Sequence, residues 1–346
     1  MDTFTATTDR MGRLRSEIAE HPARHRILTG ERPTGRLHLG HLFGTILERA
    51  RLQAAGVETF VVLADYQVIT DRESPGAVRE NILEAVRDNL AAGLDPERTV
   101  FFTHSSIPEL NQLMLPFLSL VTDAELRRNP TVKAEAQDSG RALGGLLLTY
   151  PVHQAADILF CKGTLVPVGK DNLPHVEMTR TIARRFNERY ARIFPVPAGL
   201  VTDAPELPGL DGRKMSKSHG NGIALGMSAD ETATAIRRAR TDADRLITYD
   251  PVRRPGVSGL LTTAATCLGI GPADVAARVG TGGSAELKRV TIEAVNDFLR
   301  GHREGRARIT PEDAAAAIRA GNARARGIAA ETLDEVRAAM GMAYGF

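Results

Sequence analysis

The chain has 346 residues, a length that suggests about two domains. With 42% hydrophobic and 25% charged residues it has the make-up of a globular protein with a sizeable core. A net charge of +2 excludes a histone-like polycation and leaves room for a local basic face that binds RNA. The two cysteines, Cys161 and Cys267, form no CxxC pair, which argues against a disulfide framework or structural zinc and fits a reducing cytoplasm. No apolar segment suits a secretory signal, and none approaches the ~18 consecutive apolar residues of a membrane helix.

Residues 1–25 are polar and read as a helical extension. Arg26-Ile27-Leu28-Thr29-Gly30 reads as a short buried strand, followed by the Pro- and Gly-punctuated loop Glu31-Arg32-Pro33-Thr34-Gly35. A helical pattern runs from about Leu39 to Ala54. The Val-rich stretch 58–65 reads as a second strand, residues 75–92 as a long helix and residues 99–103 as a third strand. Strand–helix alternation of this kind predicts an α/β fold, a Rossmann-like doubly wound parallel sheet, with ligands at the carboxyl ends of its strands. The loops after Gly30, Asp65 and Thr103 then share one rim. Helices follow at 108–120 and 150–160, a short strand at Leu165–Val168, and a helix at 173–189. Residues 195–222 are rich in Pro and Gly and read as loop. From about 228 onward only helical patterns remain, at 229–240, 258–268, 284–300 and 311–339. The expected organisation is a 1–25 extension, a 26–222 Rossmann-type catalytic domain and a 223–346 helical domain.

Two segments carry chemistry. In Thr34-Gly35-Arg36-Leu37-His38-Leu39-Gly40-His41, the first strand turns into the first helix, whose free N–H groups and positive dipole end suit a phosphate. His38 and His41 are three apart, so both imidazoles can donate from one face. Gly40 would let a flat base or ribose approach the backbone. Read alone, the segment could also be a helix start with two solvated histidines. The second segment is Gly212-Arg213-Lys214-Met215-Ser216-Lys217-Ser218-His219-Gly220-Asn221. A mobile loop with two cations suits a departing polyphosphate, while a solvated linker is the plainer alternative. Only six of the 44 basic residues are lysine (Lys133, Lys162, Lys170, Lys214, Lys217 and Lys288), and two of them sit here. No P-loop, GxGxxG or zinc-deaminase signature is present.

HLGH and KMSKS, in this order and at this distance, resemble the paired signatures of class I aminoacyl-tRNA synthetases. Thr149-Tyr150-Pro151-Val152-His153-Gln154-Ala155-Ala156-Asp157-Ile158-Leu159 and Val166-Pro167-Val168-Gly169-Lys170-Asp171-Asn172, the latter followed by His175, Glu177 and Arg180, look like segments of the tryptophanyl-tRNA synthetase family. The similarity runs from about residue 26 to the C-terminus.

The resemblance implies a tryptophan–tRNA ligase acting on L-tryptophan, ATP and tRNA. Mg²⁺ would arrive with ATP rather than occupy a fixed protein site. The enzyme would be cytoplasmic and homodimeric, with no membrane partner, and its helical domain would hold the anticodon. Its catalytic residues would be His38, His41, Lys214 and Lys217. ATP would further meet Arg32, Pro33, Thr34, Gly40, Gly169, Lys170, Asp171, Leu207, Met215, Ser216 and Ser218. Lys133 falls where the family places a lysine that reaches ATP, with an ordinary exposed helix lysine as the alternative.

Tryptophan would meet Asp157, Gln67, Gln154, Val166, Val168 and Asn172. Asp157 would accept the indole N–H, a donor that phenylalanine lacks. Departures ring the same pocket. Lys170, Asn172, His153, Gln154, Gln67 and Arg32 replace residues more common in the family, which points to a divergent branch. The alternatives are a tyrosyl enzyme, and a paralogue that binds tryptophan or its adenylate without charging tRNA.

Overall fold

The computed structural model describes residues 3–70, 74–139, 142–169, 172–202, 206–213, 215–217 and 219–345. Five parallel strands, β1 (Arg26–Glu31), β2 (Glu58–Leu63), β3 (Thr99–Thr103), β4 (Leu165–Val168) and β5 (Ala198–Val201), form one sheet in the order β3-β2-β1-β4-β5. The order reverses between β1 and β4, where a doubly wound sheet opens its ligand crevice. There the two strands share a single register pair, Ile27↔Leu165, whereas β1 and β2 pair along their full length from Arg26↔Glu58 to Glu31↔Leu63.

Strand alternation sorts the apolar side chains into two cores. From β2, Val61 and Leu63 enter one core and Phe60 and Val62 the other. The first core lies under α4 (Val78–Ala91) and under the helix that leaves β1. That helix begins as α2 (Leu39–His41), passes through a single π-helical turn at Leu42–Ile46 and continues as α3 (Leu47–Ala54). The second core lies under α5 (Pro108–Leu118), α8 (Gly145–Phe160) and α9 (Leu173–Arg189). Between α5 and α8 run α6 (Asp123–Arg128) and α7 (Pro130–Ser139). α1 (Thr3–Glu20) lies against β5 through Met11 and Ile18, which share a small cluster with Leu165 and Leu200.

The remaining helices are α10 (Ala229–Arg237), α11 (Pro255–Leu268), α12 (Pro272–Val279), α13 (Gly283–Arg308) and α14 (Pro311–Ala339). The core is continuous across residue 222: Leu260, Val295 and Leu299 share one cluster with Leu37, Leu39 and Val61. α14 returns to the sheet and lies against the edge strand β3. A side chain at Gly321 would strike the backbone of Phe101, and Asn322 Oδ1 accepts the outward N–H of Thr103 at 3.0 Å. The edge of the sheet is thus covered rather than left open to pair. No single described helix is long and apolar enough to cross a membrane.

Two expectations change. The loop expected at 195–222 contains β5, a four-residue strand flanked by Pro195 and Pro197 that is too short for a periodicity signal. α6, α7 and α12 were not anticipated, since none has more than ten residues.

Candidate active site

The β1–α2 turn is held from below by a buried ion network. Arg49 is fully buried on α3 and donates to Glu31 Oε1 (2.8 Å), Asn89 Oδ1 (3.0 Å) and Thr29 Oγ1 (3.2 Å). Burial alone would raise the Glu31 carboxyl, but Arg49 above all, with His41 and Lys217, brings it down to about 2. A buried carboxylate at the end of β1 therefore faces the signature residues with its charge intact.

His38 is the N-cap of α2 in extended conformation, and its backbone N–H donates to His41 Nδ1 at 3.2 Å. That bond fixes the neutral His41 tautomer with its proton on Nε2, leaving a donor for an anionic ligand. The two rings lie 3.9 Å apart, centroid to centroid. Burial, then the neighbouring His41 and Lys217, push His38 down to about 3, and burial pushes His41 down to about 4. At neutral pH both act as uncharged donors, not as cations.

The second signature lies directly on the first. Lys217 Nζ donates to the carbonyl of Arg32 at 3.0 Å and stands 4.0 Å from Glu31 Oε2. Met215 packs over Gly40, and Gly222 fits between Met215 and His38 with no room for a β-carbon. On the side where a Gly40 β-carbon would stand, the His38 ring lies 3.1 Å away. Asn221 braces the loop by accepting from Ser216 N (2.9 Å) and donating to Asp211 Oδ1 (2.8 Å). Lys214 and Ser218 lie outside the described residues.

At the switch point itself opens a cleft of about 340 Å³. All six residues expected to meet the amino acid line it: Gln67, Gln154, Asp157, Val166, Val168 and Asn172. Arg32 and Gly169, from the nucleotide set, line it too. Gln67 comes from the 3₁₀ turn after β2, Val166 and Val168 from β4, and Asn172 from the start of α9. Asp157, in the last turn of α8, is 1% exposed. Its Oδ2 is 2.9 Å from His104 Nε2, and its Oδ1 is buried without a hydrogen-bond partner among the described residues. His153, one turn earlier on α8, stacks edge-on against His104 with centroids 4.5 Å apart, and burial keeps it below the usual imidazole range. His104, His153 and Asp157 bring their ligating atoms within 4.8 Å of one another. His104 and Asp157 are bonded to each other, and the His153 ring packs against His104.

The remaining expected residues fall in several places. Pro33 is buried, and its carbonyl accepts from Asn81 Nδ2 at 3.1 Å; Thr34 lies in the same loop. Ser216 sits partly buried beside Lys217. Leu207 belongs to the apolar cluster that contains Met215, so it supports the loop from inside. Lys133 is exposed on α7 and is not among the residues lining the cleft. Lys170 and Asp171 lie outside the described residues. The sequence reading missed His104, Glu31, Arg49 and the pair Tyr150–His175, whose Oη and Nε2 are 3.0 Å apart at the cleft wall. His104 could have been found, since it directly follows β3 on the rim where ligands bind.

Residues 21–300 match the family model described as tRNA synthetases class I (W and Y). The "Tryptophan--tRNA ligase" of Lactococcus lactis is 39% identical over 334 residues, covering 92% of this chain and 98% of that protein. The protein of the same name from Treponema pallidum is 40% identical over 333 residues, covering 92% and 97%. Among solved structures, the tryptophanyl-tRNA synthetase of Campylobacter jejuni complexed with ADP and tryptophan matches with a TM-score of 0.78 at 29% identity, covering 91% of this chain and 99% of that one. HLGH, KMSKS and the switch-point cleft thus all lie within the part of the chain that matches the class I synthetases. The chain belongs to the W and Y family of those enzymes.

Proposed function

We propose that this chain activates L-tryptophan with ATP to tryptophanyl-AMP, releasing pyrophosphate, and then transfers the tryptophanyl group to tRNA(Trp). The observation that carries the choice of amino acid is the buried Oδ1 of the cleft-lining Asp157, which has no hydrogen-bond partner among the described residues. Indole is a large apolar body with one N–H donor, and a single buried acceptor is its complement. The amino-acid carboxylate attacks the α-phosphorus of ATP in line, a P–O bond forms, and the bond to the pyrophosphate oxygen breaks. No covalent enzyme intermediate is needed, so the chain contributes positioning and charge.

His41, with its proton held on Nε2 by the His38 backbone, and His38 donate to phosphate oxygens without adding charge of their own. Lys217, together with Lys214, balances the charge growing on the departing pyrophosphate. Glu31, the buried carboxylate nearest these groups, is bonded to Arg49, so Mg²⁺ comes with the nucleotide. In the second step the terminal ribose hydroxyl of tRNA attacks the acyl carbon and AMP leaves.

Arg237, Arg238 and Arg240 are exposed at the end of α10 and support a tRNA-binding role for residues 223–346. Falling tRNA affinity with rising salt is the expected signature. The enzyme works as a cytoplasmic homodimer, which light scattering on the purified chain checks for assembly. ATP–pyrophosphate exchange tests the core of the reading. Exchange with tryptophan and not tyrosine is expected, and the reverse result overturns it. Exchange without charging of tRNA(Trp) would turn the protein into a tryptophan-responsive paralogue.

A further inference from the structure

We infer that His104 is a positioning residue that sets tryptophan specificity, because it commits one oxygen of Asp157, a residue of the cleft lining, and leaves the other without a partner among the described residues. This inference rests on the tryptophan reading above and concerns how that reading's acceptor is held.

The geometry starts at the carboxyl end of β3. The chain turns there into a 3₁₀ segment, His104–Ser106, which buries the His104 ring to 1% exposure. Ser105 anchors the turn to the neighbouring rim loop, donating its backbone N–H to Asp65 Oδ1 at 3.1 Å and its hydroxyl to Asp65 Oδ2. The imidazole is therefore held by its backbone as well as by its neighbours. It meets Asp157 Oδ2 on α8 at 2.9 Å through Nε2.

A carboxylate only accepts, so the proton in that contact belongs to His104 Nε2. Asp157 Oδ2 is then occupied. Oδ1 has no partner among the described residues and almost no solvent access. A buried carboxylate with two free oxygens could rotate about its terminal torsion and could satisfy a donor from more than one direction. With Oδ2 tied, only Oδ1 remains, and it points one way. His153 packs edge-on against the His104 ring and closes the space that the imidazole would otherwise swing into. His104 never touches the reacting atoms. It acts by narrowing what Asp157 can accept.

An N–H donor in the bicyclic ring is what this arrangement selects. The 3-benzothienyl analogue of tryptophan has nearly the same shape and no donor, so it reads the selection directly. In the full-length wild-type chain, ATP–pyrophosphate exchange favours tryptophan over this analogue. The variant His104→Leu keeps volume and removes the Nε2 donor. It should raise the tryptophan KM by about 10- to 100-fold, the worth of a hydrogen bond to a charged group. The kcat, the ATP KM and the analogue KM should each move by less than about threefold, within ordinary mutational spread. His104→Gln places an amide N–H at the same number of bonds from the backbone as Nε2 and should restore most of the discrimination, whereas His104→Asn, one bond shorter, should not.

A merely structural role predicts otherwise: tryptophan and its analogue lose activity in parallel. Parallel loss in His104→Leu, or equal behaviour of His104→Gln and His104→Asn, overturns the inference. If His104→Leu does not fold, the Gln and Asn variants decide alone by the same ratio. Wild-type exchange with tryptophan alongside parallel loss defeats only the inference. Absence of wild-type exchange with tryptophan defeats the functional reading itself.

Discussion

The two ends of the cleft are built on different principles. The amino-acid end stands on regular structure: Asp157 and His153 on α8, Val166 and Val168 on β4, and His104 where β3 stops. Several of its buried polar atoms, Asp157 Oδ1, His104 Nδ1 and His153 Nε2, have no hydrogen-bond partner among the described residues. The nucleotide end joins the end of β1 and the helix after it to the loop that carries Met215 and Lys217, and several of its polar groups are bonded to one another. Lys217 is bonded to the Arg32 carbonyl, His41 Nδ1 to the His38 backbone, and Glu31 to Arg49. The contrast matches the two tasks. Choosing an amino acid demands a rigid group that cannot adapt to the wrong donor, and fixed elements hold such a group best. Stabilising charge that moves from ATP to pyrophosphate demands side chains that can leave one partner for another.

The largest expected effect attacks the rigid end. Replacing Asp157 by Ala removes the buried acceptor proposed for the indole and should cut kcat/KM for tryptophan by about 10³- to 10⁴-fold in pyrophosphate exchange, with ATP binding nearly unchanged. A loss of tenfold or less would mean that shape alone selects the amino acid.

Glu31→Gln tests the support beneath the mobile end. It strands the fully buried Arg49 guanidinium without its counter-charge, so urea unfolding should register a loss of about 3–5 kcal/mol. If stability barely changes, Glu31 serves Lys217 rather than the fold. Lys217→Ala should slow activation about 10²-fold while tryptophan affinity, read by isothermal titration, moves less than about threefold. Equal losses in rate and affinity would erase the proposed division between the two ends.

The smallest effects are those of pH. His38 and His41 sit at about 3 and about 4 in the folded chain, below the 6.5 they return to on unfolding. The unfolded chain therefore binds more protons between those values, and stability should fall as pH drops below 6.5 and continue falling toward 4. Above 6.5 both forms are neutral and the contribution is flat. The exchange rate should likewise show no step from these histidines between pH 6.5 and 8. A rate step near 6.5 that disappears in His41→Asn would mean that His41 carries charge during catalysis.

What could be read from the sequence follows from how each feature is encoded. β1 to β4 declare themselves as apolar runs bounded by turn residues, and HLGH and KMSKS as compact strings with unusual composition. The six cleft-lining residues were placed through resemblance, and they do converge on one cleft. Pairings between distant residues leave no such trace. His104 and Asp157 are 53 positions apart, and Lys217 and Arg32 are 185 apart. Asp157 and Lys217 stood out by themselves, but nothing in either segment named its partner until the fold brought the two together. At Gly40 the lack of a side chain was legible, but the His38 ring packed beside it was not. Lys133 was drawn toward ATP by its position in the family pattern, and its exposed place on α7 is visible only in three dimensions.

The covering of β3 by α14 has a consequence for how the chain comes off the ribosome. β3 ends at Thr103, and the helix that seals its outer edge begins at Pro311. At the usual pace of synthesis, about 5–20 residues per second, roughly 10–40 seconds separate the two. Through that interval the β3 edge waits uncovered while β1 and β2 can already pair. The nascent chain is thus most exposed to strand addition and to chaperones before its last helix arrives, and destabilising α14 should lower the yield of folded protein more than the turnover of molecules already folded.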